Sequence, residues 1–130
     1  LNENHETSDL VNNYLIKNKK KIVSILNENN FSNEDCIIIV RSLLNKSKKL
    51  LDLSNEYLKN KDIQATLASA KPPIFWKEKD IVKEQISKWK PGKIKTLIYK
   101  LSEIELIIKK NVNISINVIS DFILQEEINN

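Results

Sequence analysis

The chain is short of nearly every residue that active sites are built from. In 130 residues there is one cysteine, one histidine and one glycine, with three prolines and no methionine. Cys36 alone permits no intrachain disulfide and excludes a cysteine-rich zinc site. His5 alone, in a polar N-terminal tail, makes a Ser-His-Asp or Cys-His set unworkable, so Cys36 reads as a small buried apolar residue and not a nucleophile. A single glycine, Gly92, cannot make a phosphate-cradling Gly-rich loop. The scarcity of Gly and Pro also disfavours a β-sandwich or barrel, which needs such turns at short intervals. No apolar run nears the roughly 20 residues that span a bilayer, and the polar, acidic N-terminus does not read as a signal peptide. The carboxylate pairs Glu103/Glu105 and Glu126/Glu127 point to different helix faces and read as solvated surface. No catalytic residue, metal or cofactor site is therefore expected.

What remains is lysine, isoleucine, leucine and asparagine. Twenty lysines stand against one arginine, Arg41, a bias that reads as AT-rich coding. The formal charge is only +4, with signs interleaved. A solvated lysine face explains it more simply than a selected nucleic-acid surface, and this holds for Lys46 to Lys49 as well. Arg41, inside an apolar run, is poorly placed to read a base edge. DNA contact is expected to be weak, salt-sensitive and sequence-independent at most. The chain opens on Leu1 and not Met, and the expectation is one domain, residues 1–130, belonging to a longer protein.

Helical spacing runs through the whole chain. Leu1 to Thr7 is expected to fray, with Thr7 or Ser8 capping a helix that carries Leu10, Val11, Tyr14 and Leu15 on one face. Asn18 to Lys21 reads as a connection. A second helix to Glu28 turns Ile22, Ile25 and Leu26 inward and ends at asparagines suited to the left-handed conformation. Ser32 and Asp35 form a near capping box, with Phe31 as its staple. They open the longest helix, about Asn33 to Lys59, whose inward residues run from Cys36 to Leu58. Asp62 caps a short helix whose small residues Ala65, Ala68, Ser69 and Ala70 would let a neighbour approach. Beyond the aromatic stretch described next, Lys90-Pro91-Gly92 reads as the sharpest turn. A helix to Lys110 carries Ile94, Leu97, Ile98, Leu101, Ile104 and Ile108 and a Glu105/Lys109 ion pair. A last helix, about Ser115 to Glu127, carries Val118, Ile119, Phe122 and Ile123.

Between the two halves lies KPPIFWKEKDIVKEQISKW, Lys71 to Trp89. It holds both tryptophans and two of the prolines, and the core is expected to form around it. Pro72 and Pro73 suit a helix entry, so a helix is expected from about Ile74 to Lys88, with Phe75 and Trp89 largely buried. The run Ala70 to Lys77, with Pro72, Pro73, Phe75, Trp76 and Lys77, resembles a segment of the bacterial DNA polymerase III delta subunit, the clamp-loader subunit that opens the sliding clamp. The family's next landmarks are a helix-ending Trp, here Trp89, and a helix whose pattern falls on Leu97, Leu101, Glu105 and Lys109, with Ile104 in place of Ala. The resemblance is to the subunit's C-terminal helical collar domain and is strongest from about Ala65 to Leu124.

The resemblance implies a bacterial cytoplasmic protein of DNA replication. It implies a collar that packs against other clamp-loader subunits, and clamp contact through N-terminal ATPase-like modules absent from this chain. Nucleotidyl transfer would belong to the polymerase complex and not to this segment. The residues by themselves imply an all-α single-domain bundle of six or seven helices that binds a partner. A free-standing helical nucleic-acid-binding module and a protein adaptor are the alternatives. For a protein-binding surface the candidates are Trp76, Leu106 and Leu124, because the last two long helices carry apolar residues outside a single stripe.

Overall fold

A computed structural model describes residues 4–129, with side chains to residue 125. The sequence readings on residues 1–3 and on the Glu126/Glu127 side chains lie outside the described residues. Seven α-helices follow one another: α1 His5–Ile16, α2 Lys19–Glu28, α3 Asn33–Asn60, α4 Ile63–Ala68, α5 Lys79–Lys88, α6 Pro91–Lys110 and α7 Ser115–Asn129. Short 3₁₀ turns at Trp76–Glu78 and Val112–Ile114 precede α5 and α7. Among the described residues there is no strand. The all-α bundle expected from the spacing is the fold.

The centre is α3, and not the aromatic stretch. α3 packs against α1, α4, α5, α6 and α7, most extensively against α6. Its 28 residues start on the expected capping box: Ser32 Oγ accepts from the Asp35 N–H at 3.0 Å, and Asp35 accepts from the Ser32 N–H at 2.8 Å. A cap of this kind is worth about 1 kcal/mol. Phe31 is buried beside it. Inward residues Cys36, Ile39, Val40, Leu43, Leu44, Leu50 and Leu53 meet the α6 stripe of Ile94, Leu97, Leu101, Ile104 and Ile108 in one core. All four expected α1 residues, with Ile22, Ile25, Ile119 and Ile123, complete it.

Several boundaries differ from the sequence reading, each for a local reason. α1 starts at His5 because Asn4 caps it, its side chain accepting from the Thr7 N–H at 2.8 Å, while Thr7 itself is buried. Asn18 to Lys21 is no connection: Asn18 caps α2, and the turn is made by Lys17, which takes φ 65°. Lys61 does the same after α3 with φ 54°, whereas Asn29 stays extended at φ −119°. Left-handed positions thus fall on lysines, with no glycine at positive φ. Pro91 is the first residue of α6 and Gly92 the second, so the break before α6 is at Trp89 and Lys90. Leu58 is exposed because α3 runs past the core before it ends. Ala65, Ala68 and Ser69 are exposed, and of the four small residues only Ala70 packs on the core. Within Lys46 to Lys49, Ser47 is fully buried, and Lys46 reaches across to Asn12 Oδ1 at 3.1 Å.

Candidate functional site

The residues that carry the family resemblance do three different jobs. Trp89 is structural. It is 5 % exposed, and its indole N–H donates to the Leu15 carbonyl at 2.7 Å, satisfying one of the acceptors that the last turn of α1 leaves open. The Ser54 hydroxyl donates to the Trp89 carbonyl at 3.3 Å. The Tyr14 ring lies 6.3 Å away and itself stacks on Phe122 at 5.9 Å, and the Lys17 ammonium sits 4.3 Å over the indole. Trp89, at the end of α5, thereby holds α1 through its indole and α3 through its backbone carbonyl, and Tyr14 of α1 carries the contact on to Phe122 of α7. The expectation for Trp89 holds.

Phe75 is not buried. It is 55 % exposed, and Trp76 beside it is 69 % exposed. The helix expected from Ile74 begins only at Lys79. Pro72 and Pro73 lead into extended backbone, with Phe75 at ψ 134°, and then the 3₁₀ turn. With no helix to aim them inward, the two rings fold onto each other with centroids 5.9 Å apart, and Lys77 lies 5.4 Å over the indole of Trp76. Only Ile74 of this run packs on the core. Phe75→Ala therefore carries no core-truncation cost. The expected loss is within about 0.5 kcal/mol, where a buried phenylalanine would cost about 3–5 kcal/mol.

Glu105 and Lys109 are electrostatic. Their carboxylate and ammonium lie 3.5 Å apart, as the i,i+4 spacing predicted, and Glu105 also takes the Arg41 guanidinium at 3.4 Å. The lone arginine thus staples α3 to α6 instead of facing a phosphate. All three side chains are partly exposed, which limits the staple to a fraction of a kcal/mol per pair.

The clearest candidate surface lies on the back of α6. Leu106 is 61 % exposed, and Tyr99, seven residues or just under two turns earlier, is 68 % exposed. At 100° per residue Tyr99 and Leu106 share a face, and that face is opposite the Ile94 to Ile108 stripe that packs on α3. Ile107 and Val112 extend the exposed apolar area. The sequence reading found Leu106 but missed Tyr99. The available signal was its seven-residue offset from Leu106 on the side opposite the stripe. Leu124 is half-buried and contributes less than expected. Trp76 stands on a different element, the turn packed on α5.

These side chains offer contact area and not reaction chemistry. Among the described residues no group of three His, Cys, Asp or Glu is gathered that could hold a metal. Cys36 is buried, and burial, with the Asp35 carboxylate adding to it, pushes its thiol up to about 11, so the nucleophilic thiolate is suppressed. His5 starts α1 and sits 3.7 Å from Asp9 on an open surface. No described helix is long and apolar enough to cross a membrane. A scan against protein-family models finds no match, and comparisons with curated proteins and with solved structures find none either.

Proposed function

We propose that this chain is an oligomerisation domain of the collar type, from the delta subunit of a bacterial DNA polymerase III clamp loader. On this reading it helps hold together the complex that loads the sliding clamp during DNA replication. The observation that carries the proposal is the second apolar face of α6. A helix on the surface of a monomer needs one stripe, and α6 has spent that stripe on α3 before Tyr99 and Leu106 are counted. A partner laid on this face explains why such residues are left out. The helical bundle and the run Pro72 to Lys77 followed by Trp89, Glu105 and Lys109 supply the family reading. Trp76, with the Phe75 ring tilted against it and Lys77 over its indole, is the second anchor, of the aromatic kind that dominates protein interfaces. The partners on this reading are the other clamp-loader subunits, over an interface of about 1,000 Å² or more.

The test is assembly of the full-length parent with the other clamp-loader subunits, followed by ultracentrifugation. Leu106→Asp combined with Tyr99→Ser should weaken assembly while leaving the melting temperature unchanged. Assembly as tight as wild type by a folded variant overturns the placement of the interface on α6. A nucleic-acid-binding module is the competing reading, favoured by Lys77 beside the exposed indole of Trp76. Nanomolar binding to a defined DNA sequence at physiological salt would decide for it, because non-specific lysine contacts give dissociation constants of roughly 10⁻⁴–10⁻⁶ M.

A further inference from the structure

A second surface lies where the far ends of α3 and α5 meet α4 and the start of α6. Tyr57 and Leu58 from α3, Ile63 from α4, Ile86 from α5 and Pro91 from α6 line an open groove of about 530 Å³. That volume falls within the roughly 300–1,000 Å³ of ligand clefts. Leu58, at its edge, is 58 % exposed although it is a large aliphatic residue. Three further lining residues, Lys83, Lys88 and Lys90, are cations, and no carboxylate lines the groove. None of the three is ion-paired within the described residues, and all are exposed. The first turn of α6, which opens here, contains no acidic residue and has no side-chain cap. Its partial positive charge adds to that of the lysines.

We infer that this groove docks a short acidic peptide of a protein partner, with a bulky apolar side chain set against Leu58 and Ile63 and its carboxylates against Lys83 and Lys88. Charge complementarity selects the acidic partner, since three lysines in a lining that holds no carboxylate attract anions along the approach. The chemistry of the floor selects peptide over nucleic acid. Stacking platforms for bases need open aromatic faces. Here the indole of Trp89 is covered, Tyr57 is the only partly open ring, and the remaining floor is aliphatic. The inference does not rest on the collar reading, because the groove shares no residue with the α6 face bearing Tyr99 and Leu106.

The experiment measures fluorescence anisotropy of a labelled synthetic peptide of Glu, Asp, Leu and Phe against this chain. The comparison peptides have Gln and Asn in place of the acids, or Ser in place of Leu and Phe, and an oligothymidylate serves as the polyanion control. The acidic apolar peptide should bind, and both altered peptides should bind about tenfold more weakly, with affinity falling as salt rises. K83E combined with K88E should weaken binding by a similar factor, and Leu58→Ser should also weaken it. All three positions are on the surface, so the melting temperature should be kept. If a variant fails to fold, amide shift changes in the wild-type chain decide instead, and they should map to Tyr57, Leu58, Ile63 and Lys83 to Pro91. The inference is overturned by no binding up to millimolar peptide, by equal binding of the neutral peptide, by shifts mapping elsewhere, or by oligothymidylate binding as tightly as the peptide.

Discussion

Trp89 and Trp76 lie in one stretch of sequence, yet they end in opposite environments. Trp89 follows a ten-residue helix that is held on the bundle by Ile86 and by Gln85, whose side chain donates to the Asn12 carbonyl at 3.3 Å. Its indole arrives already aimed at the last turn of α1 and finds an open carbonyl there. Trp76 follows Pro72 and Pro73 in extended backbone and begins a turn of three residues. Such a segment has no face, because too few residues are in register to commit one side to the core. Its rings satisfy each other and a lysine instead. Where a large aromatic goes is thus decided by the element that carries it, and hydrophobicity alone does not decide it.

The largest effect expected from this contrast is at Trp89. Trp89→Ala deletes the ring between α1 and the rest of the bundle and leaves the Leu15 carbonyl without its donor. The expected loss is about 3–5 kcal/mol in denaturant unfolding, a large share of the stability of a domain this size. A loss below about 1 kcal/mol would erase the distinction between the two tryptophans.

The same core makes a pH-dependent contribution through Cys36. Its folded thiol titrates near 11 and the ordinary value is 9.0, so the fold prefers the neutral form. The preference is fully present below pH 9. As pH rises towards 11 the unfolded chain gives up this proton first, and that part of the stability is lost. At about 1.4 kcal/mol per pH unit the loss is on the order of 2–3 kcal/mol. The measurement is a comparison with Cys36→Ala. The variant should be less stable than wild type at pH 8, and the gap should narrow by pH 11. A constant gap would show the thiol to be solvated.

Trp89→Phe sharpens the comparison further. It keeps most of the ring and removes the N–H, leaving a buried carbonyl at the end of α1 unpaired. The expected cost is about 1–3 kcal/mol. Equality with wild type would show that packing alone holds Trp89.

How far the sequence could anticipate this depended on how local each signal was. Ser32/Asp35, Asp62 and the Glu105/Lys109 pair were readable because each is settled within a turn of chain, and each forms as its spacing predicts. The faces of α1 and of α6 were readable because periodicity encodes them directly. The dominance of α3 was less visible: its length was plain, but its five helical neighbours are a property of the assembled bundle. The exposure of Phe75 was hidden because Ile74-Phe75-Trp76 looks like the start of a buried helix, and nothing nearby reveals that the helix waits until Lys79. Gly92 misled by type. It looks like a turn residue, yet it sits in the first turn of α6 at an ordinary φ with open space around its α-carbon. The back face of α6 was half-legible through Leu106. The groove beside Leu58 was not legible, since it is assembled from four helices.

The smallest effect on stability belongs to Trp76, and it carries the functional half of the comparison. Trp76→Ala breaks its contact with Phe75 and its position under Lys77, both at a surface where water replaces what is lost. Exposed cation–π and ring contacts are each worth about 0.5–1 kcal/mol. The truncated side chain also recovers conformational freedom and stops presenting apolar area to water. The net expectation is a change within about 0.5 kcal/mol, against several for Trp89→Ala. Fluorescence separates the two residues independently. In Trp76→Phe the only remaining indole is Trp89, so emission should shift to shorter wavelength and resist acrylamide. In Trp89→Phe the remaining indole is Trp76, and it should be quenched freely. If Trp76 is an assembly anchor, adding the partner subunits should protect it from acrylamide in the full-length parent, and Trp76→Ala should weaken assembly without altering the melt. Unchanged quenching of Trp76 in an assembly that still forms would make its exposure incidental and leave the back face of α6 as the remaining anchor of the proposed collar.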